Sequence, residues 1–361
     1  MNICLLTIDL STVGGINKVT FDLAKDLLDC CNNVTICGII NGTKKPFYNN
    51  SVESINLFDE NLRMKEYIFN GSKKLIEVLK RKDIDVVLLQ GEAAGLLGAF
   101  TRLSYKKCKY VYCDHGALTY DINGLSKLMT NITLWICGHF TDASIFETEQ
   151  GQKDFYQLIS GNINKYYYIY NYGNDNIAIT NPSVSKKLLT VGRMTSQKGF
   201  DYAIEVASLL DKDIDWEWDF IGDGEEKSSI QNKINEYHLD DRIKLLGSVK
   251  ELDDKYKDYY LMVCTSRHEG LPMALIDAKF AKLPIISFNI KTGPSEIIID
   301  NVNGNLIDAF DCNKMAETIN TILKDDNIRK KYVSHAWDNK EKFSRNSVLD
   351  RWKNVLWEII K

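Results

Sequence analysis

The sequence predicts an α/β protein made of two Rossmann-like α/β/α domains in tandem. Strand-like apolar runs alternate with helix-length amphipathic segments throughout the chain, which is typical of parallel sheets covered on both faces. The alternation restarts after a polar, proline-containing stretch at 173–185 (GNDNIAITNPSVS). With 361 residues, of which 44% are hydrophobic, the chain is long enough to form two cores. We therefore place an N-terminal domain at 1–172, a C-terminal domain at 173–346 and a final helix at 347–361.

The first half alternates apolar runs of strand length with segments of helical periodicity. Its predicted strands are 2–8, 34–40, 86–90, 110–114, 143–147 and 166–170. Its predicted helices are 16–28, 63–80, 93–103 and 126–140. The second half repeats this order, with strands at 187–191, 218–221, 243–246, 260–264 and 285–288. Helices are predicted at 200–210 and 228–237, and the tail from residue 311 is helical by periodicity. Because ligands bind at the carboxyl ends of parallel strands, candidate site residues are sought in the loops that follow strands.

Charge and cysteine content exclude several classes of function. The net charge of −4 provides no basic field for nucleic acid. The nine cysteines include no CxxC pair, so we expect buried free thiols in a reducing compartment. The N-terminus does not resemble a signal peptide, and no apolar run reaches membrane-spanning length. We expect a cytoplasmic protein whose membrane contact, if any, is peripheral. Basic clusters such as Lys80-Arg81-Lys82 favour solvated helix faces over a membrane-binding patch.

The most informative stretch is 264–304, in which a strand leads into EGLPMALIDA. Glu269 and Asp277 lie eight residues apart, so they share one helical face if the helix starts near Glu269. Two carboxylates at the end of a strand suit the hydroxyls of a ribose or a hexose. Gly270 permits close approach of the backbone to a ligand, and Pro272 suits the first helical position. An anion site would then be formed by the free N–H groups of Leu271, Met273 and Ala274.

Two cations follow the predicted strand 187–191, in the sequence VGRMTSQKG. Arg193 offers a planar guanidinium, and Lys198 offers a mobile ammonium five residues later. Together they would hold a diphosphate without a metal ion. Ordinary loop cations explain the local pattern equally well, so the pattern alone leaves both interpretations open.

Three further turns follow predicted strands. Gly14-Gly15 permits close backbone approach at the start of a helix, but GxGxxG is absent and a plain tight turn is the favoured alternative. His115 stands where it can hydrogen-bond a substrate hydroxyl; the alternative is a structural histidine paired with Asp114. Gly222, in WDFIGDG, either lines the site or simply reverses the chain.

Together these motifs resemble the retaining nucleotide-sugar glycosyltransferases of family four. Their architecture is the GT-B fold, in which two Rossmann-like domains face each other across a cleft. The resemblance covers nearly the whole chain and is strongest over 187–307, which contains LLTVGRM, QKGF, FIGDGEE, LLGSV, SRHEGLPMALIDA, TGPSEII and NGNLI in this order. The TGPSEII segment is most similar to the branch that adds hexose or N-acetylhexosamine units in bacterial polysaccharide assembly.

The resemblance implies roles for individual residues. Glu269 and position 277 match the E-x7-E motif, whose carboxylates contact the donor sugar and the donor ribose. Asp277 departs from this motif, because Asp is one methylene shorter than Glu. Arg193 and Lys198 match the diphosphate clamp, and His115 matches a histidine that contacts the transferred sugar near its C6 hydroxyl. The implied catalytic residues are His115, Glu269, Arg193 and Lys198. The implied donor-binding residues are Gly14, Gly15, Arg193, Lys198, Gly222, Val249, Glu269, Gly270, Leu271, Pro272, Met273 and Asp277.

The implied reaction moves a hexose or N-acetylhexosamine from a nucleotide-diphosphate sugar, with UDP expected, to a hydroxyl of a glycan or lipid-linked acceptor. It retains the anomeric configuration and serves surface polysaccharides such as capsule or lipopolysaccharide. The N-terminal domain would bind the acceptor, the C-terminal domain would bind the donor, and helix 347–361 would cross back to the first domain. No metal ion or other cofactor is expected. Any membrane contact would be peripheral, at the cytoplasmic face of the inner membrane.

Front-face attack in this family requires no protein nucleophile, and the sequence contains no nucleophile elbow, P-loop or zinc-ligand spacing. Two alternatives of the same fold stay open. An epimerase-like enzyme or a phosphorylase would use a similar cleft, and an epimerase would not depend on an added acceptor. A non-catalytic nucleotide-sugar binding protein would bind the donor without releasing nucleoside diphosphate.

Overall fold

A computed structural model describes residues 1–12, 15–29, 33–41, 44, 46, 51–60, 64–116, 124–180, 185–249 and 252–361. The chain divides into two compact units. The first unit comprises residues 1–170 and 348–361, and the second comprises residues 171–347. The sequence analysis placed the corresponding boundaries at 172 and 346.

The first unit is built on a seven-stranded parallel sheet with the order β3-β2-β1-β4-β5-β6-β7. The strands are β1 Asn2–Asp9, β2 Asn33–Ile40, β3 Glu53–Asn56, β4 Val86–Gln90, β5 Lys109–Asp114, β6 Ala143–Phe146 and β7 Tyr166–Tyr168. The helices are α1 Gly15–Leu28, α2 Met64–Arg81, α3 Gly91–Ser104, α4 Gly124–Phe140 and α5 Glu149–Ile159. Central strands such as β4 (VVLLQ) are buried along their whole length, as expected of a sheet covered on both faces.

The second unit is built on a six-stranded parallel sheet with the order β10-β9-β8-β11-β12-β13. The strands are β8 Lys187–Val191, β9 Glu217–Ile221, β10 Ile243–Gly247, β11 Leu261–Cys264, β12 Ile285–Asn289 and β13 Gly304–Asp308. The helices are α6 Phe200–Ser208, α7 Lys227–Glu236, α8 Met273–Phe280, α9 Pro294–Ile297, α10 Cys312–Lys324 and α11 Asp326–His335. Helix α12, Arg345–Ile360, begins in the second unit and continues in the first. The core of the second unit lies around Phe200, Trp218, Phe220 and Phe288.

Each sheet reverses its strand order once, which is the Rossmann arrangement. The reversal lies between β1 and β4 in the first unit and between β8 and β11 in the second. Ligands of such sheets bind outside the carboxyl ends of the strands at this point. The loops that follow β8 and β11 therefore form the part of the second unit where a ligand is expected.

The predicted fold class, α/β with two parallel sheets, is confirmed. The sequence analysis missed β3, α5 and β13. The two strands are short, with 4 and 5 residues, and the helix α5 (EQGQKDFYQLI) is mostly polar. The predicted strand 143–147 ends at Phe146, so Glu147 lies in the following loop. The seven cysteines in the described part of the chain are free and buried. Among the described helices, none has the length and apolar content needed to cross a membrane.

Candidate active site

An ion pair between Lys198 and Glu269 marks the candidate site of the second unit. Lys198 ends a short 3₁₀ turn after β8, and Glu269 lies in the loop after β11. The ammonium of Lys198 lies 2.6 and 2.9 Å from the two carboxylate oxygens of Glu269. The Glu269 side chain is 7% exposed and that of Lys198 is 23% exposed. The structure thus brings together two predicted site residues at the switch point of the sheet.

Two hydroxyl groups orient Glu269, one from Ser266, which the sequence analysis did not single out, and one from Thr292 of the TGPSEII segment. Ser266 Oγ donates to Glu269 Oε1 at 2.6 Å, and Thr292 Oγ1 donates to the Glu269 backbone carbonyl. Lys198, Ser266 and Glu269 line a small cavity of about 30 Å³ together with the residues that open α8, Pro272, Met273, Ala274 and Leu275. The carboxylate is therefore fixed in direction as well as in position.

Glycines allow the loops of the site to touch each other through their backbones. Gly199 has φ 62°, and a Cβ placed there would lie 2.1 Å from the carbonyl oxygen of Thr265. Gly222 has φ 140°, and a Cβ there would lie 1.8 Å from the carbonyl oxygen of Gly192. The loops after β8, β9 and β11 thus pack at distances that only glycine permits. Gly222 also donates its N–H to Gly247 at 2.8 Å, at the end of β10.

Arg193 is the second predicted cation of this site. Its backbone is held between Gly192, which donates to Ile221, and Met194, which donates to Asp223 at 2.9 Å. Its side chain is exposed and forms no hydrogen bond or ion pair with any residue that the structure describes. An anion could therefore bind Arg193 without displacing a protein partner.

The helical-face argument for Glu269 and Asp277 is wrong. Helix α8 begins at Met273, so Glu269 lies in the preceding loop rather than on the helix. Pro272 occupies the cap position rather than the first helical position, and no side chain caps the helix. The N–H groups that open α8 are thus available to an anion. Asp277 lies in the middle of α8. Burial of the Tyr256 hydroxyl raises its pKa, and the negative charge of Asp277 raises this pKa further.

His115 lies in the first unit, directly after β5, and its hydrogen-bond partners are not Asp114, the partner named in the structural alternative. Its Nδ1 lies 2.6 Å from Glu147 Oε1, and its Nε2 lies 2.5 Å from Gln90 Oε1. Asp114 instead accepts from the Tyr112 hydroxyl at 2.7 Å. Burial alone would lower the pKa of His115, but the carboxylates of Glu147 and Asp114 outweigh it and raise this pKa. Burial raises the pKa of Asp114 to about 6.

Gly14, Gly15 and Val249 are further predicted positions. Gly14 lies outside the described residues, whereas Gly15 is the first residue of α1. Val249 is half-buried in the loop after β10. Within the described ranges, no group of three or more His, Cys, Asp or Glu side chains is arranged to hold a metal ion.

Comparisons with known proteins show which proteins share this sequence and this fold. Residues 175–337 match the family described as "Glycosyl transferases group 1". The amylovoran biosynthesis glycosyltransferase AmsD of Erwinia amylovora is 26% identical over 367 residues, covering 98% of this chain and 99% of AmsD. The poly(ribitol-phosphate) alpha-N-acetylglucosaminyltransferase of Staphylococcus aureus is 35% identical over 167 residues, covering 46% of this chain and 34% of that protein. The crystal structure of Anabaena Alr3699/HepE in complex with UDP and glucose has a TM-score of 0.83 at 17% identity, covering 99% and 100% of the two chains.

The fold and the matched segment define a glycosyltransferase of the GT-B class. Residues 175–337 match the group 1 glycosyltransferases, and the chain is similar to AmsD over nearly its whole length. The resemblance stated from the motifs is thereby confirmed.

Proposed function

We propose that this glycosyltransferase moves a hexose or N-acetylhexosamine from a UDP-sugar to a glycan or lipid-linked acceptor in surface polysaccharide synthesis, with retention and without a metal ion. The observation that carries the proposal is the Lys198–Glu269 pair at the carboxyl ends of β8 and β11; the loop after β8 that carries Lys198 also carries the exposed Arg193. The relatives support the chemistry, since AmsD is named for amylovoran biosynthesis and the Anabaena structure contains UDP and glucose.

The site has the charges that the reaction requires. As the bond between the anomeric carbon and the diphosphate breaks, negative charge grows on the leaving phosphate. The cations of Arg193 and Lys198 and the uncapped N–H groups of α8 are suited to stabilise that charge. These cations take the place that a metal ion would have. Glu269 would accept hydrogen bonds from the donor sugar, and Asp277 from the ribose.

The acceptor completes the reaction without a protein nucleophile. Its hydroxyl oxygen forms the new bond to the anomeric carbon on the face from which the diphosphate leaves. The hydroxyl proton passes to the departing phosphate oxygen, so atoms and charge balance with UDP as the second product. The protein's contribution is then to position the reactants and to stabilise charge.

The proposal is tested with purified protein, UDP-glucose, UDP-galactose and their N-acetylated counterparts, and glycan or undecaprenyl-diphosphate-linked acceptors. We expect acceptor-dependent UDP release that persists in EDTA, and an α-linked product by NMR. Binding of the donor should also raise the melting temperature by mass action. Conversion of the UDP-sugar without an acceptor would indicate the epimerase-like alternative. A raised melting temperature without UDP release from any donor and acceptor pair would indicate a binding protein.

Helix α4 offers a surface for the proposed contact with a membrane. Five large apolar residues at helical spacing are exposed on it, namely Leu125, Leu128, Met129, Ile132 and Trp135. The helix contains Lys127 and no acidic residue. An exposed apolar stripe with a tryptophan and without acidic groups is suited to insertion in the interface of a bilayer. We place the membrane contact on this face.

The double substitution Leu128→Glu/Ile132→Glu is expected to reduce co-sedimentation with vesicles that contain anionic lipid at least several-fold. The two carboxylates would have to enter the interface, which opposes binding to a negative surface. Phe69→Glu on α2 is the matched control, because Phe69 is equally apolar and 74% exposed in the same unit. Equal sedimentation of the α4 variant and the wild type would refute this assignment. Loss of a dimer in size-exclusion chromatography, with unchanged sedimentation, would show that a second copy covers the face.

A further inference from the structure

The side chain of Arg267 joins two loops of the second unit. Arg267 lies in the loop after β11, and its guanidinium donates to the backbone carbonyl of Ser196 at 2.8 Å, in the 3₁₀ turn that ends at Lys198. The same guanidinium donates to both carboxylate oxygens of Asp201, near the start of α6, at 2.8 and 2.7 Å. Its central carbon lies over the ring of Tyr202, 4.4 Å from the ring centroid. Three partners from one neighbouring segment therefore hold this side chain in place.

Further hydrogen bonds extend this link to both neighbours of Lys198. The backbone N–H of Arg267 donates to the carbonyl of Gln197 at 2.8 Å. The hydroxyl of Thr265 donates to the carbonyl of Gly199 at 2.8 Å. Lys198 therefore stands between two points at which the loop after β8 is tied to the loop after β11.

The ion pair between Arg267 and Asp201 is directional. Burial would raise the pKa of the Asp201 carboxyl, but the hydrogen bonds and the charge of Arg267 outweigh it and lower this pKa. The carboxylate is therefore charged at neutral pH, and a bidentate pair of arginine and carboxylate fixes an angle as well as a distance. The two side chains are 29% and 32% exposed, so we expect the pair to matter more for the geometry of the loops than for global stability.

We propose that Arg267 is a positioning residue for sugar transfer, whose guanidinium holds the two loops so that Lys198 meets Glu269. Its N–H groups are engaged by Ser196 and Asp201, so it acts through these partners rather than by binding the donor. A displacement of about 1 Å in a group that acts on the reacting atoms costs about 10²-fold in rate. This role rests on the proposed function in that the ion pair acts on the sugar donor.

The substitution Arg267→Ala is expected to lower kcat by about 10- to 100-fold and to change the KM for the donor by less than about threefold, because lost alignment acts mainly on the transition state. Hydrogen exchange, followed by mass spectrometry without donor, should become several-fold faster at 196–199 and 265–269, because these segments lose their mutual tie. The exchange of β9 should stay at the wild-type rate. Unchanged exchange at both segments would overturn the proposal.

Arg242→Ala is the matched control. Arg242 is also an arginine of the second unit, its side chain is 30% exposed, and it donates to the backbone carbonyls of Ile214 and Trp216 at 3.1 and 3.0 Å. It directly precedes β10, so it lies at the amino end of a strand, whereas the site lies at the carboxyl ends. We expect Arg242→Ala to lower the melting temperature about as much as Arg267→Ala does and to keep kcat within about twofold of the wild type. A loss of kcat equal to that of Arg267→Ala would show a general effect of destabilisation and would refute the positioning role.

The Lys198→Ala background separates positioning from direct contact with the donor. If Arg267 acts through the ion pair, its substitution should cost at least about threefold less in kcat in this background than in the wild type, because coupled residues are not additive. Equal losses in the two backgrounds would overturn the proposal, since Arg267 would then act independently of Lys198.

Arg267→Lys is the second variant, and it decides alone if Arg267→Ala does not fold. A lysine keeps the positive charge opposite Asp201 but lacks the planar fork that reaches Asp201 and Ser196 together. We expect kcat to fall several-fold and exchange to rise at the same two segments; wild-type values of both would refute the role of the guanidinium. Absence of UDP release from the wild type would count against the proposed function, and the exchange rates would still decide whether Arg267 ties the two loops.

Discussion

Lys198→Ala is expected to lower the turnover of sugar transfer by about 10²–10³-fold, the usual effect of removing one preorganised donor to a developing anion. The substitution removes the ammonium that lies 2.6 Å from Glu269 and beside the uncapped start of α8. The melting temperature should fall as well, because the buried Glu269 carboxylate then keeps the Ser266 hydroxyl but loses its counter-charge. Turnover is measured as acceptor-dependent UDP release, and stability by thermal unfolding.

Lys227→Ala is the matched control for Lys198. Lys227 is also a lysine of the second unit paired with a carboxylate, that of Asp223, but both side chains are well exposed. Such surface pairs contribute at most about 1 kcal/mol, so turnover and stability should stay near the wild-type values. A double variant, Arg193→Ala/Lys198→Ala, that turns over like the wild type would refute the cationic stabilisation of the leaving phosphate.

Gly222→Ala is expected to destabilise the second unit by at least ~2 kcal/mol and to abolish donor binding. The added methyl group would lie 1.8 Å from the carbonyl oxygen of Gly192, and the backbone at φ 140° disfavours any side chain. The loop that carries Arg193 and Lys198 would have to move away from β9. The experiment measures chemical unfolding and the thermal shift on adding UDP.

Gly247→Ala tests backbone strain alone, without the steric overlap that a side chain at position 222 has with the Gly192 carbonyl oxygen. Gly247 also has a positive φ, 67°, but a Cβ there would meet nothing closer than 3.7 Å, the ammonium of Lys227. We expect a loss of about 1 kcal/mol from strain alone, with donor binding retained. Equal effects of the two substitutions would show that the contact between Gly222 and Gly192 is not what holds the loop.

The loop positions of the site could be predicted because strand ends are visible in the sequence. The apolar runs that end at Val191 and Cys264 mark the carboxyl ends of two parallel strands. Loops that follow such ends meet at one edge of the sheet, so Arg193, Lys198 and Glu269 could be placed near that edge. Their individual roles stay predictions until ligand binding is measured. The salt bridge itself could not be predicted, because its partners are 71 residues apart and no local pattern encodes their contact.

The residues that were missed lack a local signal. Glu147 follows the apolar run ASIF and was assigned to the strand, whereas the structure ends that strand one residue earlier. Gln90 was counted as the end of β4, and its approach to His115 depends on the order of β4, β5 and β6 in the sheet. The start of α8 was misplaced because the helical-face argument let the helix begin near Glu269, although Pro272 disfavours helical backbone at Leu271.

Helix α12 has a consequence for how the protein matures on the ribosome. Its buried Trp352 and Leu356 belong to the first unit, and Arg351 donates to the backbone carbonyl of Tyr168 at 2.6 Å. The ribosome makes this helix only after the whole second unit, which adds roughly 10–40 s at typical elongation rates. During that interval the nascent first sheet lacks part of its cover, whereas the second unit is contiguous and can fold as it emerges. The first unit therefore completes its packing only after the second unit has been made.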